Sequence, residues 1–275
     1  MSYHQPESLD AALAALAGGG RLVAGGTDYF PALGERLADH DLIDLTRVPG
    51  LSGITETDAG WRIGATTTWT TILRAKLPPA FDGLKAAARE VGSTQIQNAG
   101  TIAGNLCNAS PAADGVPPLL TLDASVEVTG PGGSRILPLP EFITGVRQTA
   151  LSEGELVTAL HIPRLPDAAR SAFRKLGARR YLVISIAMVA VLAARDAAGR
   201  FSDLRIAVGA CSPVARRLPA LEEGLIGQTP SALAEITSEH LAHLNPIDDV
   251  RGTADYRLAA VADLIRRAVR EAADG

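Results

Sequence analysis

Cysteines, aromatic residues and long apolar runs are all scarce in this 275-residue chain, and each scarcity excludes something. The two cysteines, Cys107 and Cys211, lie far apart with no CxxC spacing. They cannot supply the four thiolates of a usual iron–sulfur cluster, so any such cluster belongs on another chain. The most apolar run, Tyr181 to Ala194, is shorter than the roughly 20 residues of a spanning helix and reads instead as a buried core strand. Met1 to Gly20 lacks the basic start and apolar centre of a signal peptide, which makes the cytoplasm the expected compartment. Basic residues do not predominate: 26 Lys and Arg against 30 Asp and Glu leave a net charge of −4, without general electrostatic support for nucleic-acid binding. The five histidines, His4, His40, His161, His240 and His243, suggest no ligand cluster, and no Ser/His/Asp or Cys/His constellation is visible.

What is present is a folding composition. Hydrophobic residues make up 47% and aromatics only 4%, so Ala, Val, Leu and Ile must fill the core. The length is ample for one or two ordinary domains. Leu9, Leu13 and Leu16 place a helix over Ser8 to Ala17, stopped by Gly18, Gly19 and Gly20. Short strands are expected at Arg21–Ala24, Leu42–Leu45 and Trp61–Ala65. A helix opening at Thr66 to Trp69 runs through Leu73, and another covers Leu84 to Val91. Gly92 to Asp114 shows no sustained period and reads as a long, functional loop. A helix at Pro117–Leu122, a hairpin around residues 130–133 and a strand at Leu156–Ile162 follow. Beyond the proline-rich stretch 163–170, strands are expected at Phe173–Lys175, Ile184–Ala194 and Leu204–Val208. Helices are expected at Ala232–Leu244 and Asp255–Ala272. The fold class is α+β.

Two segments carry chemistry. In Leu22-Val23-Ala24-Gly25-Gly26-Thr27-Asp28, a buried strand runs into two glycines and a hydroxyl. Glycines allow positive φ and leave no Cβ, so successive backbone N–H groups can converge on an anion such as a pyrophosphate. A tight turn with Asp28 capping a short helix is the plainer account. Neither the GxGxxG of a dinucleotide-binding unit nor a P-loop spacing is present. The second segment runs from Asn98 to Asp114 with small residues and short hydrogen-bonding side chains. It suits close wrapping of a polar ligand, or equally a set of Asx and Ser turns.

Ala24-Gly25-Gly26-Thr27-Asp28, taken with Thr101-Ile102-Ala103-Gly104-Asn105 and Asn108 to Asp114, closely resembles the FAD subunit of the carbon monoxide dehydrogenase and xanthine dehydrogenase family. The resemblance extends through Glu141 to Gly145, Glu153 to Val157, Phe173 to Arg180, Gly209 to Arg217 and Gly252 to Arg257. It implies a two-lobed FAD-binding domain of vanillyl-alcohol-oxidase type, with lobes at 1–55 and 56–165. A C-terminal antiparallel sheet-and-helix domain of CO-dehydrogenase flavoprotein type would follow at 170–275.

By position, the resemblance assigns FAD contacts to Leu22, Val23, Ala24, Gly25, Gly26, Thr27, Asp28 and Tyr29. It also assigns them to Thr101, Ile102, Ala103, Gly104 and Asn105, and to Asp114, Val157 and Lys175. The first group would wrap the diphosphate through backbone amides; Thr101, Gly104 and Asn105 would hold the diphosphate and ribityl region from the opposite lobe. Asp114 would bond the sugar side and Val157 pack against the isoalloxazine. Lys175 would bring a positive charge that favours the reduced flavin. Asp114 as a helix N-cap and Lys175 as a solvated strand end are the plainer accounts. Ala103 stands where the family often has Gly, and Cys107 reads as a small buried filler.

The function this implies is an electron-transfer subunit of a heterotrimeric molybdenum hydroxylase, without catalytic side chains or a metal site of its own. Molybdopterin would sit on a large partner, two [2Fe–2S] clusters on a small one, and the assembly would be a dimer of heterotrimers. A self-contained flavin oxidase or reductase is the alternative. No histidine stands beside either glycine segment in sequence, which counts against a histidyl flavin link.

Overall fold

The computed structural model describes residues 2–274. Helix and strand alternate in three main sheets, with a small two-stranded ribbon of Ile143–Gly145 and Gln148–Thr149 beside them. The first is small and parallel: Tyr3–His4 and Arg21–Val23 both pair with the central strand Leu42–Asp44. Helix Leu9–Ala17 covers it, its N-terminus capped by the Ser8 side chain, which accepts from Ala11 N. Ala12, Ile43, Leu45, Val48 and Leu51 form its core together with Leu156, which comes from the next sheet.

That next sheet is antiparallel and five-stranded, in the order Ile54–Thr57, Gly60–Gly64, Leu156–Pro163, Ser125–Gly130, Gly133–Pro138. Helices fill the long excursion between its second and third sequential strands. They are Trp69–Arg74, Asp82–Glu90, Thr94–Ala99, Ile102–Asn108 and Val116–Thr121. Two of them lie in the stretch expected to be a loop. Thr94–Ala99 and Ile102–Asn108 are each only one to two turns long, too short to show an apolar period. Side-chain caps define them instead: Ser93 Oγ accepts from Ile96 N and Thr101 Oγ1 from Gly104 N.

The third sheet is antiparallel throughout: Arg170–Leu176, Ala187–Arg195, Phe201–Gly209 and Arg216–Arg217. Its second strand is buried along nearly its whole length because both faces are covered. Ala187, Val189, Val191 and Ala193 face the helix Ala254–Asp274 through Val261, Ile265 and Val269. Met188 and Ala190 point the other way, beside Ala87 of helix Asp82–Glu90, and Leu192 and Ala194 join the main core. The alternation is the strand's period of two.

Two expectations fail here. The buried strand starts at Ala187, not Tyr181: Tyr181, Leu182 and Ile184 are exposed, and Leu182 takes φ +53° in a loop where Arg179 holds its carbonyl. The helix expected over Ala232–Leu244 is replaced by two 3-10 turns, Pro230–Glu235 and Glu239–Leu241. Arg266 explains part of this, since its guanidinium takes the carbonyls of Leu233 and Ile236 as acceptors. No described helix is long and apolar enough to cross a membrane.

Candidate functional site

The two glycine-bearing segments meet. A Cβ built on Gly25 would lie 1.9 Å from the carbonyl oxygen of Ala99 and 2.9 Å from the nitrogen of Gly100, so only glycine lets the two backbones approach this closely. Gly26 takes φ +65°, and a Cβ there would run into the Phe30 ring. Asp28 precedes the short helix Tyr29–Leu33 but makes no side-chain cap. Its carboxylate instead accepts from Asn108 Nδ2 at 2.7 Å, tying the first segment to the end of helix Ile102–Asn108. The Arg147 guanidinium donates to the side-chain and backbone oxygens of the same Asn108. Arg147 N donates to Ala109 O at 2.9 Å, and both residues sit in the left-handed region, at φ +59° and +45°. Nothing in the sequence singled out Asn108 as the tie between the two segments, or Arg147 as its support.

Within this junction, polar groups await partners. The amides of Gly25, Gly26 and Thr27 donate to no protein group among the described residues. The Asn105 Oδ1 atom is buried and unpartnered. Buried polar atoms are seldom left so, and a row of free amides on a turn is an anion-binding surface. Thr101 has its hydroxyl committed to the cap on Gly104 N at 3.1 Å, while Ile102 and Ala103 are buried beneath it. Ala103 N reaches Ala65 O at 3.3 Å, so its methyl is accommodated inside the core. Gly104, Asn105 and Cys107 present the outer side of this helix. Cys107 is thus exposed and no filler.

Tyr29 is held by three neighbours. Its hydroxyl lies 2.9 Å from His40 Nε2, Arg21 stacks on its ring, and Phe30 packs edge-on. The fold therefore brings a histidine to the first segment that chain distance had hidden. Both ring nitrogens of His40 are engaged, one by Tyr29 and the other by Asp39 at 2.7 Å. Leu22, Val23 and Ala24 lead into the turn, with Val23 buried.

Asp114 and Lys175 form an ion pair, Oδ2 to Nζ 2.7 Å apart, with side chains 9% and 6% exposed. Lys175 is no solvated strand end, and Asp114 is no helix cap: Gly115 holds the cap position before Val116–Thr121. The second oxygen of Asp114 accepts from Ser185 Oγ at 2.6 Å. Burial pushes the Asp114 carboxyl upward, and Lys175 and Ser185 pull it back. Val157 lies apart from these groups, 4% exposed beside a bulge in its strand and packed into the main core.

These groups suit a long anionic, hydroxyl-rich ligand such as FAD: free amides stand on the first segment, and a buried lone acceptor and a paired carboxylate on the second. The comparison with known proteins agrees. Residues 1–165 match the family model described as the FAD binding domain in molybdopterin dehydrogenase, and residues 171–272 that of the CO dehydrogenase flavoprotein C-terminal domain. The chain belongs to this flavoprotein family. It is an oxidoreductase subunit of the molybdenum hydroxylase class. This flavoprotein is 32% identical over 277 residues to the 6-hydroxypseudooxynicotine dehydrogenase complex subunit alpha of Paenarthrobacter nicotinovorans, covering 98% of this chain and 93% of that one. It is 30% identical to the carbon monoxide dehydrogenase medium chain of Hydrogenophaga pseudoflava, covering 98% and 96%. Its fold matches a chain in the crystal structure of a Cu,Mo-CO dehydrogenase in cyanide-inactivated form. The TM-score is 0.93 at 30% identity, with 100% and 98% covered.

Proposed function

We propose that this flavoprotein is the electron-transfer subunit of a molybdopterin hydroxylase, taking electrons from [2Fe–2S] clusters on a small partner and delivering them to an external acceptor. Substrate hydroxylation belongs to a large molybdopterin partner, and the whole is a cytoplasmic dimer of heterotrimers. The lobes at 1–55 and 56–165 hold FAD between them, with the domain at 170–275 closing on the second. The observation that supports the reading is the backbone contact of Gly25 with Ala99, which brings the free amides of the first segment against the second.

FAD, when bound, supplies the exchange between one-electron delivery and two-electron transfer. The chain supplies position. Gly25, Gly26 and Thr27 offer backbone donors to the diphosphate, and Asn105 offers its free Oδ1 to a hydroxyl. Asp114, ionised against Lys175, keeps acceptor capacity for a sugar hydroxyl, since a carboxylate has about four acceptor sites and two are taken. Val157 gives an aliphatic wall from within the core. Its burial means that it reaches the ring with little of its surface.

An absorption spectrum of the chain purified alone, and again with its co-expressed partners, tests this. Flavin bands are expected in both samples, with iron–sulfur and molybdenum signals only in the complex. A chain without flavin in either setting overturns the reading.

A further inference from the structure

Asp114 is gripped from a different part of the chain. Lys175 closes the strand Arg170–Leu176 and Ser185 stands just before the strand Ala187–Arg195. The two strands are neighbours in the third sheet, joined at this end by Ile186 N donating to Leu176 O at 2.8 Å. Both donors to Asp114 therefore come from the C-terminal sheet, while Asp114 follows the second glycine-bearing segment. Ser185 is only 1% exposed. The residue after it is fixed as well: the Ile186 carbonyl accepts from the buried Arg257 guanidinium, which also holds Ala210 O at 3.2 Å and Asp249 at 2.7 Å.

We propose that Ser185 is a positioning residue of the FAD site: from the C-terminal sheet it locks the Asp114 carboxylate against Lys175, so that the pair meets the cofactor as a neutral, oriented dipole. The proposal rests on the reading that Asp114 faces FAD. A carboxylate held by one donor alone can turn about its side-chain bonds; two donors on opposite oxygens fix it. The pairing also changes what Lys175 does. A lone ammonium beside a flavin would favour the reduced anion, but a carboxylate 2.7 Å away cancels most of that field at a distance.

The test uses the full-length chain stripped of flavin, titrated with FAD by fluorescence quenching, and the midpoint potential of the reloaded protein. Ser185→Ala is expected to weaken FAD binding about tenfold, the loss of one hydrogen bond to a charged group, and Ser185→Thr to restore most of it. Asp114→Asn is expected to raise the flavin potential by uncovering Lys175. If Ser185→Ala lowers the melting temperature yet binds FAD as tightly as wild type, its role is structural and the proposal falls. An unchanged potential in Asp114→Asn refutes the charge cancellation, even if the serine variant does not fold. Wild-type chain that binds no FAD overturns the proposed function and this inference together.

Discussion

Gly25 and Ala99 touch backbone to backbone, with room for no Cβ between them. Glycine at position 25 thus serves the closure of one segment on the other as well as the exposure of amides. Gly25→Ala should force the segments apart and destabilise the chain by about 1–3 kcal/mol, the usual cost of overpacking. FAD affinity should fall more steeply than stability, because the amides and Asn105 would no longer face one ligand. Urea unfolding beside FAD titration measures both, and equal affinity in the variant would refute the closure.

The buried Asp114–Lys175 pair should show strong coupling. Lys175→Met leaves a buried carboxylate without its counter-charge, an expected loss of about 3–5 kcal/mol. Asp114→Asn combined with Lys175→Met removes both charges and should cost much less than the sum of the single changes. A double-mutant cycle by chemical denaturation gives the coupling, and additivity would mean that the pair is not formed.

Acid sensitivity should come in part from Glu155, which stands at the start of the strand carrying Val157. Arg135 grips it through two nitrogens, at 3.0 and 2.7 Å, and Ser152 N donates at 2.7 Å. This holds its carboxyl down at about 2, against an ordinary 4.5. The stability it contributes is therefore complete above the ordinary value and is lost as pH falls from there toward about 2. Glu155→Gln should flatten that limb of the stability–pH curve, with the neutral-pH baseline lowered; an identical acid limb would argue against the grip.

Cys107 offers a chemical probe of the site. It is exposed on the helix side that carries Gly104 and Asn105. Alkylation at pH 8 should slow when FAD is added. Mass spectrometry of labelled peptides gives both rates. No change on adding FAD would place the ligand elsewhere.

Some features were legible because they are local. The strand Arg21–Val23 breaking into Gly25-Gly26, the apolar period of the last helix and the hairpin at 130–133 all follow from neighbouring residues and backbone preference. The family resemblance was legible for the same reason, resting on contiguous segments. Helices Thr94–Ala99 and Ile102–Asn108 escaped because each is too short for a period, and only the spacing of Ser93 and Thr101 to the amides they cap marks them. Ala232 to Leu244 misled in the opposite direction: its leucines suit a helix, but Arg266 on another element competes for its carbonyls.

By itself, then, the sequence determined the fold class, the two glycine-bearing segments that meet, and that two distant cysteines cannot supply the four thiolates of a usual iron–sulfur cluster. Tertiary structure decided the use of the individual groups. Asp28 could be a cap until Asn108, 80 residues on, claimed its carboxylate. Lys175 could be a free charge until it met Asp114, 61 residues back, and Ser185 drew no notice until it reached the same carboxylate across 71. Such pairings carry no periodic trace, because they depend on which surfaces the closed core brings together rather than on the conformation each residue prefers.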